Sequence, residues 1–498
     1  MDKSVFQRWL DSMSYLDLTI TDLHQALIEG KVTPLELAKE AIKRAKEDNN
    51  NAFEYISEKE ALEAVALLKD KDKNNLMWGI PFVIKDNFST KDMPTTGSSN
   101  MLIGYKPPFS SEVYKRLLNS GGIPIGKTTL DEIAMGGSGM TGHLGYTYNP
   151  YDPSHNLIVG GSSCGSASAI AASIAPFGIG SDTGDSVRKP ASYAGLVGFK
   201  PTWGRISRYG LFPFATSLDH VAYFTRSVED SALTLGLLAG FDNKDSSSSQ
   251  EPVKDYFKSL NPCISGLKIA IIKEIYDVIS DKNIRASFEK TIERLKEKGA
   301  VINYVSLDKK LCDAIFPTYF ILSCAESTSN NAYLDGIKFG SHVDGEDYKE
   351  IMKKTRTNGF SERIKKRFII GSFSLLSENQ EDMFLRAQKC RRLIVDAINN
   401  ILKDNDVIYL PASPTTAPRF DRKAPSLFDS YFVAENYLAF ANFAGLPSLT
   451  LPLGKIDGMP FGGNITGRAF DEQTVFNISL AIEEITGLKN LSARKENE

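Results

Sequence analysis

The 498-residue chain is predicted to adopt an α/β fold, on three observations. Stretches with the 3.6-residue period of amphipathic helices recur along it, short apolar runs bounded by Gly, Pro or charge separate them, and the alternation resumes beyond residue 260. Its 42% hydrophobic and 24% charged residues are those of an ordinary globular chain, which excludes disordered, collagenous and coiled-coil classes. At roughly 150 residues per domain, the length accommodates about three domains or one large α/β domain with insertions.

Residues 19–46 carry Leu23, Leu27, Leu35, Leu37, Ala38 and Ile42 at helical spacing. Thr33-Pro34-Leu35-Glu36 reads as an N-cap followed by proline at the first helical position, so two helices joined at Gly30 are expected. A further helix is expected over 58–71. Residues 79–84 read as a short buried strand, and Lys85-Asp86-Asn87 places charge at its end. An amphipathic helix over 113–120 and a strand over 122–126 follow, and 129–135 is expected to open another helix before the glycine-rich loop 136–145.

Small residues dominate 157–201. Val159-Gly160-Gly161-Ser162-Ser163-Cys164-Gly165-Ser166 precedes a helical stretch over 167–175, and Ser181-Asp182-Thr183-Gly184-Asp185-Ser186 follows it. Such density of Gly and Ser implies close backbone approach. Residues 243–255, with four consecutive serines, read as a surface linker or insertion. Strands are expected over 267–272, 407–411 and 448–452, long charged helices over 284–298 and 381–403, and a frayed polar tail after residue 488.

With 58 Lys and Arg against 61 Asp and Glu, the net charge of −3 excludes long-range attraction of the whole chain to nucleic acid or anionic lipid. Cys164, Cys263, Cys312, Cys324 and Cys390 are odd in number and form no CxxC pair, which argues against a disulfide framework or a zinc site. Asp2, Lys3, Arg8 and Asp11 break every apolar run that a signal peptide needs. The low-charge stretch 157–180 is interrupted by Gly161, Gly165, Pro176 and Gly178, so no membrane span and a cytoplasmic location are expected.

Gly161-Ser162-Ser163-Cys164-Gly165 satisfies GxSxG, the turn that presents the nucleophile in α/β-hydrolases, with Ser163 in that role. Only His220 and His342 follow it, and His220 abuts Asp219, which is not triad geometry. Ser186-Val187-Arg188-Lys189 satisfies SxxK, yet Pro190 disfavours the helical backbone at Lys189 that this pattern needs. No GK[ST] follows the glycine-rich run at a phosphate-loop offset. A tight turn between helix and sheet accounts for the same run on structural grounds alone. Lys85 either snorkels from the strand end to water or lies buried and uncharged, able to act as a base.

Together, Lys85 in Ile84-Lys85-Asp86-Asn87, the run Gly160-Gly161-Ser162-Ser163, and Ser181-Asp182-Thr183-Gly184-Asp185-Ser186-Val187-Arg188 resemble the amidase signature family. The likeness extends over residues 19–484 and includes Gly195-Leu196-Val197-Gly198-Phe199-Lys200-Pro201-Thr202 and Asn442-Phe443-Ala444-Gly445-Leu446-Pro447. It implies a single large α/β domain over 76–487, a central mixed β-sheet flanked by helices on both faces, with 1–75 as a helical segment packed on that core and 488–498 as a flexible tail. It also implies a catalytic set of Lys85, Ser162 entered through a cis peptide, and Ser186 as nucleophile, twenty-four positions after Ser162. The N–H groups of Thr183, Gly184, Asp185 and Ser186 would form the oxyanion hole. Most relatives have Gly where this chain has Asp185; Asp tolerates a left-handed backbone there, and Arg188 or Lys189 is expected to neutralise its charge.

Within the family the likeness is to the branch that serves as glutaminase subunits of tRNA-dependent amidotransferases. That branch implies hydrolysis of glutamine to glutamate and ammonia through an acyl-Ser186 intermediate. The ammonia would convert glutamyl-tRNA(Gln) to glutaminyl-tRNA(Gln), a carbon–nitrogen ligation in protein biosynthesis. Arg367 is implied as partner of the substrate's α-carboxylate, Glu435, where Asp is usual, as partner of its α-amino group, and Tyr319 as a further contact. Further implications are no cofactor or metal in this chain, B and C subunits in a heterotrimer, ATP and Mg in the B subunit, and tRNA contact mainly through B. A free-standing amidase on other carboxamides and a degenerate amidase scaffold are the alternatives.

Overall fold

Among the described residues, eleven strands carry the architecture: β1 (Phe53–Ile56), β2 (Pro81–Lys85), β3 (Ile123–Thr128), β4 (Phe177–Asp182), β5 (Val197–Lys200), β6 (His220–Thr225), β7 (Lys268–Ile272), β8 (Val301–Val305), β9 (Val407–Pro411), β10 (Ser448–Ile456) and β11 (Met459–Gly467). They join in one sheet in the order β1-β3-β2-β4-β6-β5-β10-β11-β9-β7-β8. β2 runs parallel to β3 and β4, and β7 runs parallel to β8 and β9, whereas the other neighbours are antiparallel. The computed structural model describes residues 14–277, 279–422 and 437–494.

Both faces of this mixed sheet are covered. Along β7, Ile269 and Ile271 join one hydrophobic cluster and Ala270 and Ile272 another; along β9, Val407 and Tyr409 join the first and Ile408 and Leu410 the second. The two-residue alternation of a strand assigns those clusters to opposite faces. Helices Ile20–Ile28, Pro34–Lys46, Val228–Leu238, Lys282–Glu297 and Glu472–Thr486 contribute to the first cluster. Helices Lys309–Asn330, Glu362–Leu375 and Arg386–Asp404 contribute to the second. Burial on both sides is why the central strands read as uninterrupted apolar runs.

Local signals are met where the chain supplies its own caps. Gly30 adopts φ +70° between the first two helices. The Glu36 N–H donates to Thr33 Oγ1 (3.2 Å) and the Thr33 N–H donates to Glu36 Oε2 (2.8 Å), a reciprocal capping box with Pro34 at the first helical position.

Two expectations are corrected. Residues 129–135 form no helix beyond a single tight turn, Glu132–Ala134, because Ile133 and Ala134 take φ of +46° and +62°. The competing partner is Asp131, whose Oδ2 accepts from the Ser138 and Gly139 N–H groups (both 3.0 Å) and whose Oδ1 accepts from those of Met140 and Thr141 (3.1 and 3.2 Å). One side chain therefore organises the glycine-rich loop in place of a helix. The second correction concerns Pro190: Lys189 lies inside helix Arg188–Tyr193, since a proline in a first turn has no helical N–H bond to lose.

Arg226 ties residues near both ends of the described chain to the core. Its guanidinium, 2% exposed, donates to the carbonyls of Leu16 (2.7 Å), Leu18 (2.9 Å) and Ala175 (3.1 Å) and to Asn490 Oδ1 (2.9 Å). Replacing it by Met orphans several buried acceptors at about 1–3 kcal/mol each before relaxation. Urea denaturation of Arg226→Met is expected to show a loss of about 2–4 kcal/mol. A midpoint equal to that of the wild type would contradict this clamp.

Candidate active site

Lys85 ends β2, near the middle of the parallel half of the sheet, and is 0% exposed. Of the two readings open from the sequence, burial is the one the fold adopts. The Nζ atom lies 2.8 Å from Ser162 Oγ, 3.0 Å from Ser163 Oγ and 2.9 Å from Ser181 Oγ. Among the described residues it forms no ion pair with a carboxylate. Burial pushes its pKa down to about 7, against the milder opposing pull of Asp131, Asp182 and Asp219.

The serines reach the lysine through close backbone packing. The Gly161–Ser162 peptide bond is cis. A Cβ at Gly161 would lie 2.1 Å from Asp131 Oδ2, and one at Gly180 would lie 2.8 Å from Ser163 Oγ, so only glycine fits at either position. The Ser163 N–H donates to the Ser186 carbonyl (3.2 Å), which joins the Ser162-Ser163 segment to the turn carrying Ser186. Ser163, the GxSxG serine, donates its own hydroxyl to the Ser181 carbonyl (3.1 Å) and is fully buried.

Thr183, Gly184, Asp185 and Ser186 form the turn between β4 and helix Arg188–Tyr193. Asp182 anchors it. Arg188 donates from Nε and Nη2 to the two Asp182 oxygens (3.1 and 2.9 Å), from Nη2 to the Gly184 carbonyl (2.7 Å) and to Asn442 Oδ1 (2.6 Å), while Asn442 Nδ2 donates to the Asp182 carbonyl (3.0 Å). Burial alone would raise the Asp182 carboxyl, but the Arg188 guanidinium holds it well below the usual carboxylate range. Thr183 Oγ1 donates to Asp219 Oδ1 (2.7 Å). Among the described residues, the N–H groups of Gly184, Asp185 and Ser186 meet no acceptor, which leaves them available to a ligand.

The two cations next to Asp185 have separate tasks. Arg188 serves Asp182, and Lys189 Nζ lies 2.9 Å from Asp185 Oδ2. None of the four turn residues takes a positive φ, so the tolerance of Asp for a left-handed backbone is not called upon.

Tyr319, on helix Lys309–Asn330, and Arg367, on helix Glu362–Leu375, are 5% and 1% exposed. Tyr319 is pushed up by burial and lies within electrostatic reach of Arg367 and Asp185, which brings these three toward one region. The Arg367 guanidinium sits 5.1 Å from the Phe320 ring and 5.7 Å from that of Phe214. Glu435 lies outside the described residues. Ser181, Asn87 and Asn442 were not singled out as site residues, although all three fall in or beside the quoted motifs; Asn87 Nδ2 donates to Ser181 Oγ (3.1 Å). Among the described residues no histidine is hydrogen-bonded to Ser162, Ser163 or Ser186. Nor, among them, is any group of three or more His, Cys, Asp or Glu side chains placed to hold a metal ion, or any helix long and apolar enough to cross a membrane.

A family model described as Amidase matches residues 36–476. The chain is 37% identical over 471 residues to the A subunit of glutamyl-tRNA(Gln) amidotransferase from Macrococcus caseolyticus, covering 94% of this chain and 97% of that protein. It is 39% identical over 479 residues to the protein of the same name from Thermoanaerobacter pseudethanolicus, covering 95% and 97%. Among solved structures, the A subunit of glutamyl-tRNA(Gln) amidotransferase from Thermotoga maritima superposes with a TM-score of 0.77 at 31% identity, covering 95% of this chain and 96% of that one.

The lowered pKa of Lys85 has a thermodynamic signature. Below about 7 both folded and unfolded chains hold the proton and the cost of burying the charge is fully present; between about 7 and its ordinary 10.5 only the unfolded chain holds it. Stability therefore rises with pH across that window. Urea unfolding from pH 7 to 10 is expected to show this rise in the wild type and to lack the same increment, about one proton in slope, in Lys85→Met. Parallel profiles for the two proteins would contradict a lysine that loses its proton on folding.

Proposed function

The chain belongs to the amidase family, and on that premise we propose that it is the glutamine-hydrolysing A subunit of a glutamyl-tRNA(Gln) amidotransferase. One observation carries the catalytic part of this reading. A buried amine whose pKa is lowered to about 7 is bonded to hydroxyls rather than to a carboxylate. It can thus be uncharged at working pH and take a proton.

Hydrogen-bond bookkeeping supports the direction of transfer. Ser163 gives its hydroxyl proton to the Ser181 carbonyl and can only accept from Lys85; Ser181 already accepts from Asn87. An uncharged amine offers two N–H groups and one lone pair. Ser163 thus takes one N–H, and in the proposed relay the other is directed at Ser181 and the lone pair at the hydroxyl of Ser162. Ser162 then relays: it accepts the proton of Ser186 as it passes its own to Lys85.

In the acylation step the Ser186 oxygen bonds to the side-chain carboxamide carbon of glutamine, and the carbonyl electrons collect on oxygen. The C–N bond then breaks, the nitrogen takes a proton from Ser162, which is reprotonated from Lys85, and ammonia leaves. Water attacks the γ-glutamyl ester, gives a proton along the same relay, and releases glutamate with Ser186 restored. The N–H groups of the Thr183–Ser186 turn would hold the oxyanion, each such donor contributing about 10²–10³-fold. Arg367 would bind the α-carboxylate, Glu435 the α-amino group, and Tyr319 a further part of the substrate.

The B and C subunits, ATP and Mg on B, delivery of ammonia to glutamyl-tRNA(Gln), and a cytoplasmic location complete the proposal. Ammonia release from glutamine by the chain alone and with its B and C partners tests it. Ser186→Ala is expected to reduce release by about 10³-fold or more. Unchanged glutamine-dependent amidation in that variant would establish a scaffold instead, and faster release from simple amides than from glutamine would establish a free-standing amidase. Because the active form of Lys85 is the uncharged one, kcat/KM is expected to climb with pH through an inflection near 7. A rate that falls over pH 6 to 8 would sink the lysine-base assignment.

A further inference from the structure

Asp185 adjoins the nucleophile and is 2% exposed. In the reading above, its own N–H is one of the groups facing the developing oxyanion. A second negative charge held so near, away from water, opposes the charge that forms in the reaction. The chain nevertheless keeps a carboxylate there, so its neutralisation is a requirement of the site rather than an ornament.

Among the described residues, the groups around that carboxylate leave one cation for the task. Asp182 and Tyr319 are the acidic neighbours on β4 and helix Lys309–Asn330, with Arg367 beyond Tyr319. Arg188 is committed to Asp182, the Gly184 carbonyl, Asn442 and the Leu438 carbonyl (3.0 Å). Lys189 meets Asp185 twice. Its N–H donates to the Asp185 carbonyl (2.9 Å), and its Nζ lies 2.9 Å from Asp185 Oδ2, with side chains 5% and 3% exposed. The first turn of helix Arg188–Tyr193 sets this four-residue spacing. Burial drives the Asp185 carboxyl upward and Lys189 opposes the drive, which keeps the charge pair in place.

We infer that Lys189 is a positioning residue of the amidase site: its ammonium cancels the Asp185 charge beside the forming oxyanion, and its backbone hydrogen bond and ion pair to Asp185 hold the turn's N–H donors toward the reacting carbonyl. The inference rests on the proposed assignment of Ser186 as nucleophile, but not on glutamine as substrate. Lys189 touches no reacting atom in this scheme and acts through Asp185.

A fluorophosphonate probe separates the two. The Ser186 oxygen bonds to phosphorus, fluoride leaves with the P–F electrons, the hydroxyl proton passes to the Ser162–Lys85 relay, and the phosphoryl oxygen uses the same donors without any carboxamide. Labelling of Ser186, read by mass spectrometry across pH 6 to 9, and kcat/KM for glutamine are compared in wild type, Lys189→Met, Asp185→Asn and the double variant, with thermal melts of each. Lys189→Met is expected to slow both reactions by about 10–100-fold, and more at pH 9 than at pH 6, because burial without the ammonium drives the Asp185 carboxyl further upward and only rising pH returns its charge. Asp185→Asn in the same chain is expected to restore labelling to within about threefold of Asp185→Asn alone.

Equal slowing in Lys189→Met and in the double variant would overturn the inference, since a merely structural lysine is not rescued by neutralising its partner. Should Lys189→Met fail to fold, Lys189→His supplies the decision, because it carries the charge only at acid pH. Its labelling relative to wild type is expected to decline as pH rises, and a constant ratio would overturn the proposal. A wild-type chain that is not labelled at Ser186 defeats the nucleophile assignment itself, whereas labelling without glutamine turnover defeats only the choice of substrate.

Discussion

An amine withdrawn from water and offered hydroxyls in place of a carboxylate is the constraint around which this molecule is arranged. Lys127, on the strand next to that of Lys85, shows the alternative. It too is fully buried, but its Nζ lies 2.9 Å from Asp86 and is further surrounded by the Phe88 carbonyl and the hydroxyls of Thr90 and Thr95. That arrangement is a charge pair with its remaining donors satisfied, and it reads as structural. Lys85 has the burial without the countercharge, so desolvation works on it unopposed at short range and lowers its proton affinity.

The rest of the site follows from keeping that amine company. Ser181 comes from β4, the direct neighbour of β2, so one hydroxyl is supplied across the sheet. Ser162 and Ser163 come from the segment before helix Cys164–Ala171, and the hydrogen bond from Ser163 to the Ser186 carbonyl fastens that segment to the turn after β4. Behind the turn, Asp182, Arg188 and Asn442 form a buried network whose charges and amide groups are mutually bonded. Such a network is stiff because breaking any one bond strands a charge away from water. Among the described residues the electrostatic layout therefore sets three buried pairs, Asp86 with Lys127, Asp182 with Arg188 and Asp185 with Lys189, around Lys85, which pairs with no carboxylate.

How far this was legible beforehand depended on whether the signal was local. The capping box at Thr33 and Glu36 and the hydrophobic face of helix Pro34–Lys46 are contained in a few consecutive residues, and both form as read. β11, with glycines at 462, 463 and 467, has poor strand character by itself and becomes a strand only through its ladders with β10 and β9. β1 lies between the stretches read as helices, within the 1–75 segment that the resemblance made wholly helical; it corrects that expectation, becoming a strand of the central sheet through its pairing with β3. The helix expected over 129–135 fails because the Asp131 carboxylate captures four backbone N–H groups that lie seven to ten residues ahead. Lys365-Lys366-Arg367 looks like the solvated side of a basic helix, yet Arg367 shares its helical face with Ile364, Phe368 and Gly371 and is carried inward with them.

By itself the sequence determined the α/β class, the caps and turns, the amidase-like motifs and the spacing that relates Lys85, Ser162 and Ser186, because these depend on side-chain type and on neighbours a few positions away. Tertiary structure alone decided that Lys85 is buried rather than snorkelling, that Arg188 serves Asp182 while Lys189 serves Asp185, and that Ser163 is closed off by the Ser181 carbonyl. Those outcomes turn on desolvation and on which charges converge across the sheet, and neither quantity exists until strands distant in sequence have come together.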